Sequence, residues 1–347
     1  MNIVSAASRL ALARACVAAA VGIAAGALPA ARATAAEKTS AFESHWQDGK
    51  AELNGYRLTI TRYGEQRKGT ALLIFVTEPF STSKSVKLDH PEKAHGDTFE
   101  ALKLNFVRDF QTGIYDYNTM VSVFVRSRDI SPVKTTFSSA EWCGHVYEEL
   151  LYEPRHIADR TSSYFENESR TQRIRRFEDE IAEDNLHVVL RGLRKDYLKP
   201  GERRRVHFLP GTFYRRLTHT PLAWTSALIE RSRGTESVSV PAGRFESSVY
   251  TVRVDDGREG RIWIESAYPH RVVRWAWRPA APSTGKGRAL AEGTDSGELT
   301  GSARLPYWEL NGPGDESQLK KLGLAGGSGR AASSASGGAG AAKARTR

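Results

Sequence analysis

Cysteine is nearly missing from this sequence, with Cys16 and Cys143 the two it contains. Cys16 lies in an N-terminal stretch that reads as a removable leader, so the mature chain is expected to keep Cys143 alone. One cysteine excludes an internal disulfide and any paired-cysteine metal site. The fold must therefore be held by its core, and a chain of 347 residues can build one. A Gly-rich phosphate loop, a G-x-S-x-G elbow and an H-E-x-x-H pair are also missing. With them go the usual signatures of nucleotide binding, serine hydrolysis and zinc proteolysis. No metal site and no cofactor is expected.

A basic body is lacking too. The formal net charge is +10, yet residues 1–36 hold +3 of it and residues 320–347 hold +6. The remaining body is almost neutral, whereas a nucleic-acid binder concentrates basic charge on a folded face. Nucleic acid is not an expected partner.

What is present begins with the N-terminus. Arg9 and Arg14 precede an apolar run from Ala15 to Leu28, followed by Pro29 and small residues ending in Ala33-Thr34-Ala35. A basic flank, a short apolar core and a small-x-small exit describe a secretory signal peptide over 1–35. The run is short for a bilayer span, so no transmembrane segment is expected after cleavage. Cys16 precedes most of the apolar run, which argues against acylation there. The chain is thus expected in the periplasm or another extracytoplasmic space of a bacterium. Residues 323–347, rich in Gly, Ser and Ala, read as a disordered basic tail.

The body reads as mainly β, with curved antiparallel sheet in two β-rich halves, 36–165 and 221–322. In the first half Tyr56, Leu58 and Ile60 alternate with polar residues, then Leu72, Ile74 and Val76 follow a turn at Gly64–Gly69. Leu102, Leu104 and Phe106, then Val121, Val123 and Val125, repeat the pattern. In the second half, runs ending at Asp255-Asp256-Gly257, Glu265 and Trp277 give a meander, and another strand is read over 298–305. "GTDSGE" at 293–298 and "STGK" at 283–286 read as exposed loop. Between the halves, 166–220 lacks a clean apolar stripe and is read as a connector with a short helix near 178–194.

The C-terminal half carries Val240-Pro241-Ala242-Gly243-x-Phe245, a strand bearing Trp263, and the turn Pro269-His270-Arg271. In these features it resembles a bacterial family of exported proteins, the domain of unknown function 3108. The stretches from Lys103 and from Thr136 are similar to a longer subset of that family. The resemblance implies secretion and antiparallel β structure, and it implies no reaction.

Four groups of residues are candidates for a site. Cys143 and His145 sit two apart in "EWCGHVYEE", beside Trp142, and on a strand would share a face. Such a pair could make an activated thiol, although about 7 Å separates neighbours on one strand face. A buried structural cysteine is the commoner fate. Asn105, Arg108 and Asp109 form the second group, with Arg108 on the apolar side of its strand, where it must pair with an acid or face an anionic ligand. Trp263, Trp275 and Trp277 could line an apolar cavity or fill the core. Asp89, His90 and His95 lie close together but match no zinc spacing.

These features together lead to an expected function. The chain is read as an exported, non-catalytic β-sheet protein of the envelope that binds a lipid, another amphiphile or an envelope component. A thiol-dependent envelope enzyme using Cys143, or a structural interaction protein meeting an envelope protein, are the alternatives.

Overall fold

In the computed structural model, residues 40–279 and 294–324 are described. The readings made for the leader, the 283–286 loop and the tail from 325 lie outside those residues.

The alternating segments form strands: β1 (Ala51–Arg62), β2 (Glu65–Phe80), β3 (Phe99–Thr112), β4 (Tyr115–Arg126), β5 (Pro132–Glu141), β6 (Gly144–Tyr152), β7 (His156–Ser163) and β8 (Arg170–Arg175). After them come β9 (Glu180–Ala182), β10 (Arg203–Leu209), β11 (Thr225–Val240), β12 (Gly243–Val254), β13 (Glu259–Glu265), β14 (Val272–Arg278) and β15 (Asp295–Leu305). They make one open sheet in the order β8-β7-β6-β5-β4-β3-β2-β1-β15-β14-β13-β12-β11-β10-β9. The two β-rich halves therefore share one sheet, joined where β1 pairs antiparallel with β15. All neighbours are antiparallel except β9 and β10.

The sheet curls strongly. Rings of Phe106 on β3 and Trp275 on β14 lie 5.2 Å apart, although three strands separate them in the sheet and a flat sheet would put their strands about 19 Å apart. The curl brings inward residues of both halves into one core, including Tyr56, Leu58, Phe75, Leu104, Ile262 and Trp275. The concave side is filled by the chain itself. After β9, a one-turn helix α1 (Leu186–Val189) and the following loop supply Leu186, Val188, Leu190, Leu193 and Leu198. After β10, α2 (Thr212–Thr218) supplies Phe213 and Leu217. A short N-terminal helix, α0 (Ala41–Trp46), adds Phe42 and Trp46.

Buried ion pairs tie this plug to the sheet. Arg191 meets Glu52 of β1 at 2.9 Å, Arg215 meets Glu148 of β6 at 2.7 Å, and Arg216 meets Glu141 of β5 at 2.8 Å. The edge strands β8 and β9 follow each other in the chain without pairing. Across this seam Leu150 and Ile157 pack with Ala182, Leu209 and Leu222, and the Trp224 indole N–H donates to the Arg175 carbonyl at 2.8 Å.

The connector differs from its sequence reading. The short helix near 178–194 is the single turn α1, preceded there by β9 and a 3-10 turn at Glu183–Asn185, and β8 and β10, which the reading did not place, also fall within 166–220. The reason is visible in β8: Arg170 and Gln172 both bond buried Asp159, at 2.9 and 2.8 Å. That strand alternates charged pairs rather than apolar residues, so its period carries no hydrophobic signal. "GTDSGE" is likewise not all loop. β15 begins inside it, because Asp295 is buried against Arg108.

Candidate functional site

Antiparallel neighbours reverse direction, so the β1–β2, β3–β4, β5–β6 and β7–β8 turns share one end of the sheet. Three are two-residue turns. Tyr63 and Gly64 both take positive φ, at 54° and 71°, the backbone of a tight hairpin whose twist matches the flanking strands. Such tips usually carry Gly, Asn or Asp. Here each tip instead exposes a large apolar or aromatic residue: Tyr63 at 58%, Ile114 at 78%, Trp142 at 65% and Tyr164 at 72%.

These tips are joined into a rim. The Tyr63 and Tyr117 hydroxyls lie 2.8 Å apart. Tyr117 neighbours Tyr115 at 5.2 Å between ring centroids, and Tyr115 neighbours Trp142 at 6.2 Å. Tyr164 rests on Gly144, where a Cβ would come within 2.4 Å of its ring. Tyr164 then meets Phe165 edge-on at 5.6 Å. Isolated exposed apolar residues are ordinary on protein surfaces, whereas a contiguous run marks an interaction surface.

Cys143 belongs to this rim and is exposed, not buried. Its backbone N–H donates to the Tyr115 hydroxyl at 2.9 Å. His145 follows at the start of β6, also exposed. Among the described residues no hydrogen bond joins Cys143 to a histidine.

The second candidate group divides by face, as its alternation requires. Asn105 accepts from the Ser122 hydroxyl at 2.8 Å and Asp109 accepts from the Asn118 amide, both on the outer face. Arg108 points inward and donates through Nε to Asp295 Oδ2 at 3.0 Å. Trp275 donates to the other Asp295 oxygen at 2.8 Å. Asp295 thus brings two separately predicted residues together, and no sequence signal marked it.

Trp275 and Trp277 share the inner face and border a cavity of about 30 Å³ with Phe106, Arg108, His187 and Asp295. Among the described residues, His187 Nε2 and Arg108 Nη1 have no hydrogen-bond partner. The volume suits one or two water molecules and is far below a ligand pocket. Burial, then the charge of Arg108, push the His187 pKa down to about 3. Trp263 lies on the opposite face, packed with Val238, Val249 and Val273, and donates to Glu236 at 2.9 Å.

In the β2–β3 connection, His90 bonds Glu92 at 3.2 Å and Lys87 bonds Asp89 at 2.8 Å. Among the described residues no three His, Cys, Asp or Glu side chains converge as metal ligands, and no helix is long and apolar enough to cross a membrane.

Sequence reasoning missed Tyr63, Ile114 and Tyr164. Their signal was positional: a bulky apolar residue at the tip of a hairpin, where turn chemistry asks for none. No family model, curated protein or solved structure matches this chain.

Proposed function

We propose that the chain is an exported, non-catalytic β-sheet protein of the bacterial envelope that meets an amphiphilic partner, the interfacial layer of a membrane, through its aromatic rim. One observation carries this reading: four successive hairpin tips at one end of the sheet each expose a large apolar side chain. Trp and Tyr combine an apolar body with a polar handle and favour the boundary between hydrocarbon and water. Export rests on the leader-like residues 1–35, and the resemblance to an exported family agrees with it.

The interior supports an external partner. An acyl chain needs a pocket of a few hundred Å³, whereas the cavity beside Trp275 offers about 30 Å³. The plug from Leu186 to Leu217 occupies the concave side that a carrier would leave open.

Flotation of the protein with vesicles of phosphatidylethanolamine and phosphatidylglycerol tests the proposal. The protein should rise with the vesicles, and Ile114→Asp and Trp142→Asp should leave it in the dense fraction. A protein that never floats, or variants that float unchanged, overturns the reading.

A further inference from the structure

Beside the rim, on the outer wall of β4 to β7, lies an open groove of about 520 Å³. Its chemistry is set by two cross-strand rows. One runs Asn118, Ala140, His145, and reaches Tyr164, whose N–H donates to the His145 carbonyl at 3.0 Å. The other runs Met120, Ser138, Tyr147, Ser162. The first row continues on β3 to Asp109, which accepts from Asn118, and the next row down, Ser122, Thr136, Glu149, Arg160, also carries charge.

Three properties of this groove point the same way. No Asp, Glu, Lys or Arg lines it, in a chain of which 26% of residues are charged. Its lining includes short side chains, Ser138, Ala140 and Ser162, beside the rings of Tyr147 and Tyr164, which are 46% and 72% exposed. Among the described residues, no hydrogen bond engages the Ser138 or Ser162 hydroxyls or the His145 ring, so donors and acceptors of neutral type stand open toward the groove. An anionic ligand finds no Lys or Arg among the lining residues. A purely apolar ligand would cover these hydroxyls and leave them unpaired, at a cost in affinity. A ligand with many hydroxyls and apolar C–H faces satisfies both the serines and the tyrosine rings.

We infer that this groove binds a neutral glycan segment. The volume falls within the range of small-ligand sites and would take a few sugar units. The exposed rings of Tyr147 and Tyr164 offer stacking faces, and the serines and His145 offer bonds to ring hydroxyls. The groove shares Tyr164 with the rim but is not lined by Tyr63, Ile114 or Trp142.

Titration of the full protein with a panel of neutral oligosaccharides (maltohexaose, cellohexaose and chitohexaose), followed by saturation-transfer NMR and calorimetry, tests the inference. An acidic oligogalacturonate serves as the charged control. At least one neutral glycan should bind, and the acidic one should bind more weakly. Tyr147→Ala should weaken binding roughly ten-fold by removing one stacking face. Ala140→Arg should abolish it by filling the groove, with circular dichroism and melting unchanged because the position is exposed. Ile114→Asp, which disables the rim, should leave glycan binding intact, so either site can fail without the other. Failure of all three neutral glycans at millimolar concentration overturns the inference. So does binding that survives Ala140→Arg, or a preference for the acidic glycan.

Discussion

Arg191 and Glu52 form an ion pair at 2.9 Å with side chains 0% and 2% exposed. The pair joins the internal plug to β1 and has further partners: Glu52 also accepts from Asn54 at 2.8 Å and contacts His45 at 3.1 Å. Arg191 donates to the carbonyls of Pro269 and His270. Losing one partner strands a buried charge, which typically costs about 3–5 kcal/mol. Glu52→Gln and Arg191→Met should each show a loss of that order in urea unfolding. The double variant should cost clearly less than the two losses added, because a coupled pair is non-additive. Full additivity would show that the two residues act independently.

Acid should loosen the same interior. His187 is held neutral, with a pKa near 3 against 6.5 when unperturbed. The titratable and charged groups that line the cavity with it are Arg108, Asp295, Asp184, Glu183 and Tyr214. Between those two values the unfolded chain binds the extra proton, so stability is full above pH 6.5 and falls as pH drops toward 3. By about pH 5 the loss from this residue is about 2 kcal/mol. Glu52 acts in the same direction at lower pH. Burial opposes its ionisation, but Arg191 and the bonds from His45 and Asn54 bring it to about 2, so its contribution fades below 4.5. Asp184 acts oppositely, since burial raises it to about 6 and its contribution favours the fold on the acid side of that value. At about pH 5 the relief of Asp184 offsets most of the His187 loss, so the test is comparative: relative to the parent protein, His187→Gln should shift the pH slope of the urea midpoint in favour of the fold at pH 5. An unchanged slope would remove His187 as its source.

The strands of both halves were legible because their inner face is apolar at period two. Arg108 could be assigned to the inner face for the same reason, and Trp275 and Trp277 to one shared face. The connector was not legible. Its β8 turns half-buried Arg170 and Gln172 onto buried Asp159, and α1 is a single turn too short to show a helical stripe. The partner of Arg108 was also hidden, since Asp295 lies 187 residues away, in a stretch with the composition of a loop. In the candidate site, Trp142 was found through its neighbour Cys143, whereas Tyr63, Ile114 and Tyr164 are single residues whose meaning comes only from sharing one end of a curled sheet.

Gly297 on β15 lies tightly against the Trp275 ring of β14. A Cβ there would lie 2.1 Å from the Trp275 ring, and that ring is held in turn by Asp295, Tyr56 and Phe106. The ring cannot retreat without disturbing the core. Gly297→Ala should lower stability by about 1–3 kcal/mol, the usual cost of overpacking. The same change at Gly234, which has open space around it, should be close to neutral. Thermal melts of the two variants separate crowding from a general intolerance of alanine in these strands.

Cys143 supplies the last test, because its exposure decides between two accounts of the rim. The Cys143 N–H is held by the Tyr115 hydroxyl at 2.9 Å, a bond that ties the β5–β6 tip to the β3–β4 tip. Were the thiol part of a catalytic pair, Cys143→Ser would abolish a function while preserving structure. If instead the residue serves as the turn's backbone, the side chain is dispensable and the tyrosine is not. Cys143→Ser should leave stability within about 0.5 kcal/mol, as for other surface positions, and vesicle flotation should be unchanged. Tyr115→Phe should cost about 1 kcal/mol for the lost hydrogen bond and speed exchange of the Cys143 amide with solvent. It should also weaken flotation, since Trp142 would no longer be held in line with its neighbours. Flotation lost in Cys143→Ser but kept in Tyr115→Phe would reverse the assignment and return the thiol to the centre of the site.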